Sequence, residues 1–144
     1  MRKCVFRISC PISPARVVEF YPAQNLREQL AAAQVPDKYG VYLIYGVQAD
    51  QHRLVYIGKS GTLLANGEWR SQGLCKRLFA KQDGESRQAY FRTKLSTEGL
   101  SHLSIHWAVT VGPDSLVLPA KAEADLLQIY FDMYGKLPPW NRSI

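Results

Sequence analysis

The chain has 144 residues, 47% of them hydrophobic, and carries a formal charge of +6 from 18 Lys and Arg against 12 Asp and Glu. This is one domain's length with apolar content for one core, which excludes a disordered or collagen-like chain, and no apolar run of about 18 residues offers a membrane span. Cys4, Cys10 and Cys75 are odd in number and form no C-x-x-C, which argues against a disulfide framework and a structural zinc and points to a reducing, cytoplasmic compartment.

The start, MRKCVFRISCPISPA, lacks the apolar stretch of a signal peptide. Residues 4–8 read as a short strand. AQNLREQLAAAQ reads as a helix in which Asn25 caps and Glu28 completes a capping box; Pro36 ends it. GVYLIY and LVYIG, rich in β-branched and aromatic residues, read as two strands of a hairpin joined through GVQADQHR. Val41, Leu43 and Tyr45 then face one way, and Tyr42 and Ile44 the other. SGTLLANGEWRSQG is punctuated by glycine and reads as a loop.

LCKRLFAKQ reads as a helix ended by Asp83-Gly84, with Cys75 as a small buried apolar residue. SRQAYFRTKLSTE reads as a second helix, stopped by Gly99. HLSIHWAVTV alternates as a half-buried strand does, with Leu103, Ile105 and Trp107 on one face and His102, Ser104 and His106 on the other. Four residues along a strand span about 13 Å, so His102 and His106 share no metal. His106 is a polar-face residue near any bound nucleic acid. Pro119 opens the last helix and Gly135 closes it. The expected fold is α/β of the α+β type: a small, mainly antiparallel, three-stranded sheet flanked by helices, with residues 1–144 forming one domain.

Charge is unevenly placed. Nine basic and three acidic residues lie between Arg53 and Lys94, an excess equal to the whole +6. A concentrated excess suits a polyanion. Trp69, Arg70, Lys76, Arg87 and Arg92 are the expected contacts in this stretch with such a partner, DNA or RNA.

Several residues with chemistry recur around the hairpin. Gly40-Val41-Tyr42 and Tyr56-Ile57-Gly58 sit on its two strands and Lys59 follows. Arg77 comes early in the next helix, Glu123 near the start of the last, and Asn141 after it. This ordered set resembles the GIY-YIG nuclease superfamily, with the likeness running over 39–141 and residues 1–38 as an N-terminal extension. Two departures are visible: Val41 replaces the isoleucine of the first phrase, and an inserted segment lengthens the path from Tyr56 to Arg77. Arg70 competes with Arg77 but stands in a loop. Asp125 competes with Glu123, yet Leu126, Leu127 and Tyr130 mark a buried stripe that Glu123 borders and Asp125 does not.

The resemblance implies a metal-dependent DNA endonuclease. Glu123 would ligate Mg²⁺ or Mn²⁺, Tyr42 would be the general base, and Tyr56 would orient water or phosphate, the two roles being interchangeable on sequence. Arg77 would grip the scissile phosphate, Lys59 would help lower the tyrosine pKa, and Asn141 would fix the site from its far side. Specificity would lie in the inserted segments 60–73 and 83–99 or in a targeting partner protein. Cutting both strands would need a homodimer or two nicks. A PD-(D/E)xK enzyme is excluded because no [DE]-x-K follows Asp37. The alternative within the fold is a non-catalytic nucleic-acid-binding domain.

Overall fold

The computed structural model describes residues 16–81, 84–113 and 115–143. Its elements are β1 (Arg16–Phe20), α1 (Leu26–Ala32), β2 (Gly40–Gln48), β3 (Gln51–Ser60), β4 (Thr62–Leu63), β5 (Trp69–Arg70), α2 (Leu74–Phe79), α3 (Arg87–Thr97), β6 (His102–Val109), β7 (Val111–Gly112), β8 (Ser115–Leu116) and α4 (Pro119–Tyr134). Local signals start and stop the helices as the sequence predicts. The Asn25 side chain accepts the Glu28 N–H at 3.0 Å to cap α1, and the Ser86 hydroxyl accepts the Ala89 N–H at 3.1 Å to cap α3. Pro119 is at the first turn of α4, and Gly135 ends it in the left-handed conformation, φ +68°. Helix α2 is shorter than expected, because Ala80 already has extended backbone with ψ 159°.

The main sheet has four strands in the order β1-β6-β2-β3, all antiparallel, which corrects the expected three. The added strand is β1, whose Val18 and Phe20 lie opposite Ile105 and Leu103. It is only five residues long and lies between Pro14 and Pro22, so its strand character comes from pairing with β6 rather than from a strong local pattern. The strand expected at 4–8 lies outside the described residues. The expected loop after β3 contains the small β4–β5 ribbon, and a second ribbon, β7–β8, precedes α4.

Both faces of the sheet are covered. On one, Val18, Phe20, Tyr42, Ile44, Leu103, Ile105 and Trp107 pack with residues of α1, α2 and α3 and with Trp140. On the other, Val41, Leu43, Tyr45, Leu54 and Ile57 pack on Ala122, Leu126, Leu127 and Tyr130 of α4. Strand β2 is therefore buried on both sides and is the rigid centre of the fold. No helix among the described residues is long and apolar enough to cross a membrane.

The β2–β3 hairpin turns on two residues, Ala49 and Asp50, at φ +48° and +63°. Two successive left-handed residues match the right-handed twist of the strands but favour Asn-Gly over Ala-Asp. Replacing them together, Ala49→Asn with Asp50→Gly, is expected to raise stability by about 1 kcal/mol. Urea denaturation checks this; an unchanged or lower midpoint would contradict the turn geometry.

Candidate active site

A single irregularity in the hairpin brings the two tyrosines together. Tyr45 lies opposite Leu54, but Ile44 lies opposite Tyr56, so Val55 is an extra residue in the ladder. Without this bulge Tyr56 would point to the α4 side. With it, Val55 and Tyr56 both pack with the cluster that contains Tyr42. The Tyr42 and Tyr56 rings lie 5.9 Å apart, inclined at 31°. Gly58, opposite Tyr42, makes room for them. A Cβ there would sit 2.5 Å from Cζ and Oη of Tyr42 and 2.7 Å from Cε1 of Tyr56.

The tail after α4 locks this segment. The Trp140 N–H donates to the Val55 carbonyl at 2.8 Å. The Asn141 side chain accepts the Ile57 N–H at 3.0 Å and donates to the Ile57 carbonyl at 2.9 Å. One amide thus satisfies both backbone groups between Tyr56 and Gly58 and acts as a short extra strand. Trp140 is buried among Tyr90 and Phe91 of α3, and its indole N–H donates to Glu98 at 2.8 Å.

In front of the tyrosines opens a polar cleft of about 180 Å³, lined by Tyr56, Lys59, Ser60, Gly61, Thr62, Ser71, Arg77 and Glu123. Beside it, sharing Lys59, Gly61 and Thr62, lies an apolar hollow formed by Leu63, Trp69, Leu118, Pro119 and Ala120. Trp69 stacks on Tyr39 with centroids 4.6 Å apart. Lys59 is oriented by its hydrogen bond to the Gly61 carbonyl, 3.2 Å. The buried Ser60 hydroxyl accepts the Gly40 N–H at 3.1 Å and ties the cleft floor to the first glycine phrase.

Electrostatics separate the groups. Burial, then the neighbouring Tyr42, pushes the Tyr56 phenol up to about 12, against the opposing pull of Arg87 and Arg77. The expectation that nearby cations depress the phenol is thus reversed for Tyr56 in the protein alone, because desolvation outweighs them. Burial also raises the Glu123 carboxyl, while Lys59 and Arg77 draw it down. Burial pushes the half-buried Cys75 thiol up as well, consistent with a packing residue.

Four of the expected site residues line this cleft: Tyr56 and Lys59 from β3, Arg77 from α2 and Glu123 from α4. Tyr42, expected as the base, is 0% exposed and stands behind Tyr56 rather than in the cleft. Asn141 reaches the backbone of the strand, not the cleft. Of the competitors, Asp125 is exposed and paired with Lys121 at 2.6 Å, and Arg70 is exposed on β5. Trp69 borders the apolar hollow and Lys76 is exposed on α2.

Arg92 gives its guanidinium to the Pro22 and Gln24 carbonyls at 2.9 and 2.8 Å. Arg87, expected on a DNA-contacting surface, is 3% exposed, because it lies on the buried stripe Arg87, Phe91 and Leu95 of α3. That i, i+4, i+8 spacing is visible in the sequence and identifies the position. Ser60, Thr62 and Ser71 of the cleft have no comparable signal. His106 packs against Tyr45, with ring centroids 4.8 Å apart, on the face covered by α4.

Among the described residues no group of three or more His, Cys, Asp and Glu could hold a metal ion. Glu123 alone offers a carboxylate in the cleft. A Mg²⁺ or Mn²⁺ that keeps several waters and takes phosphate oxygens needs little more, so the residues fit such an ion. Compared with models of protein families, with curated proteins and with solved structures, the chain matches none.

Two predictions follow from burial here. Gly58→Ala should displace the tyrosine rings and cost about 1–3 kcal/mol, with a changed near-ultraviolet tyrosine signal; unaltered stability and signal would count against the packing described. The raised Glu123 carboxyl favours its protonated form in the fold. The stability this confers is present at low pH and is lost as pH rises through the folded-state value. Glu123→Gln should therefore raise the melting temperature at pH 7, and the advantage should vanish below pH about 4, where the unfolded-state carboxyl is protonated too.

Proposed function

We propose that the protein is a metal-dependent DNA endonuclease that hydrolyses phosphodiester bonds with GIY-YIG-type chemistry. What supports this most is the convergence of Tyr56, Lys59, Arg77 and Glu123 in a polar cleft, with the Tyr42 ring 5.9 Å from that of Tyr56 behind it. They come from three elements, β3, α2 and α4, and their residue types are those that phosphodiester hydrolysis uses.

Hydrolysis joins a water oxygen to phosphorus and breaks the bond to the leaving ester oxygen, which takes up a proton. Arg77 is suited to binding the non-bridging oxygens with its planar fork, and Lys59 adds positive charge at the same mouth. Tyr56 faces the cleft and accepts the proton of the attacking water when ionised, a form that burial disfavours and Arg87 and Arg77 favour. Tyr42 orients that phenol by packing against its ring. Asn141 keeps the strand rigid beneath them. Glu123 would hold Mg²⁺ or Mn²⁺, which when bound would supply Lewis-acid charge at the phosphate. The hollow under Trp69 suits the sugar and base beside the scissile phosphate, and Arg70 and Lys76, exposed and next in the chain to the cleft residues Ser71 and Arg77, are available to its backbone.

Supercoiled plasmid incubated with the protein and Mg²⁺ is expected to give nicked or linear product. Glu123→Ala should reduce the rate by about a hundredfold or more, and chelation should abolish it. Cleavage by Glu123→Ala at the wild-type rate would refute the assignment. Plasmid retarded in a gel but never cut would leave a non-catalytic nucleic-acid-binding domain, which the full burial of Tyr42 favours.

A further inference from the structure

Arg87 opens α3 and is buried to 3% exposure. A guanidinium stays charged at any pH the fold survives, so its burial is costly unless an opposite charge meets it. Among the described residues no carboxylate lies within ion-pair distance of it. Its Nε has no hydrogen-bond partner among them. Its Nη2 donates to the Tyr42 hydroxyl oxygen at 3.4 Å. The guanidinium carbon stands 5.7 Å from the centre of the Tyr56 ring and 6.0 Å from that of Phe91. Aromatic faces offset part of the cost, but they do not replace an anion.

The groups that face the tyrosine pair are few. Arg87 on α3 lies behind it. Arg77 on α2, Lys59 on β3 and Glu123 on α4 lie on the cleft side. Arg87 does not line the cleft and so does not touch a substrate bound there. Its polar contact is with the pair, through the Tyr42 hydroxyl.

We infer that Arg87 is a positioning residue: it holds Tyr42 and Tyr56 together from behind and is the internal counter-charge for the negative charge that the pair carries during proton transfer. This rests on the proposed nuclease function, in which Tyr56 accepts the proton of water. Arg87 then acts through Tyr42, whose oxygen it contacts, and not through DNA. The basic residues at the rim act the other way, on the substrate and not on the pair.

The test compares Arg87→Gln and Arg87→Lys with the wild type, alone and with Tyr42→Phe, in Mg²⁺-dependent plasmid cleavage. Arg87→Gln is expected to lower kcat by about ten- to a hundredfold, the scale of a lost charge-assisted hydrogen bond. KM and the salt dependence of DNA affinity should stay as in the wild type. Arg87→Lys should recover part of the loss. In the Tyr42→Phe background the same substitutions should cost far less, since the contact atom is already gone.

A folded Arg87→Gln with wild-type kcat, a loss confined to KM, or a fully additive double variant would overturn the inference. If Arg87→Gln does not fold, Arg87→Lys decides, with about a tenfold loss of kcat expected and no loss overturning it. Nuclear magnetic resonance of protein labelled at tyrosine Cζ gives a readout without DNA. Two of the eight tyrosines, Tyr42 and Tyr56, should shift in either Arg87 variant. If the wild type cuts no DNA, the nuclease function fails on its own. The Cζ resonances then still decide whether Arg87 holds the pair: moved signals support it and unmoved signals overturn it.

Discussion

The extra residue at Val55 is the constraint on which the site depends. A strand alternates its side chains between faces, so a single inserted residue changes the face of everything beyond it. On the turn side of Val55 the hairpin follows one phase, with Leu54 on the α4 face. On the far side it follows the other, with Tyr56 on the face of Tyr42 and Ile57 on that of α4. The fold thereby satisfies two demands that a regular hairpin could not meet at once: a continuous apolar face for α4 and two adjacent phenols on the opposite face. The glycine two residues past Tyr56 completes the arrangement by leaving the space that the Tyr42 hydroxyl fills.

The cleft and the tyrosine pair behind it concentrate groups that are poorly matched to folding alone. A half-buried carboxyl is shifted upward, a phenol is raised to about 12, and an arginine is sealed from solvent without a carboxylate among the described residues. Each costs stability in isolation, and they stand within one small region. Elsewhere Lys121 is matched to Asp125 and His102 to Glu19. Such a local departure from consistent packing marks function more often than accident.

Much of this was legible in the sequence, for reasons of range. The hairpin, α1, α3 and α4 are announced by nearby residues: two glycine-tyrosine phrases, the caps Asn25 and Ser86, and Pro119 with Gly135. Glu123 was separable from Asp125 because a helix fixes directions within a turn or two. What escaped depends on distant partners. Strand β1 exists because β6 has a free side. The bulge carries no glycine and shows only in the register against β2. Asn141 was identifiable by resemblance, yet its bidentate grip on Ile57, 84 residues away, is a tertiary fact. Arg87 was misplaced because a charge in a basic stretch suggests the surface, although its spacing to Phe91 and Leu95 indicated the opposite.

The grip of the tail on β3 has a further consequence. This strand is the last in its sheet and one of the two longest, with ten residues. An open edge of that length is a template on which another chain can add a strand. Trp140 and Asn141 occupy its outward hydrogen-bonding groups at Val55 and Ile57, next to the tyrosine that the cleft needs. The contacts that hold the site in shape therefore also shield the protein from self-association. Damage to them would make it prone to aggregate from the very strand that carries its chemistry.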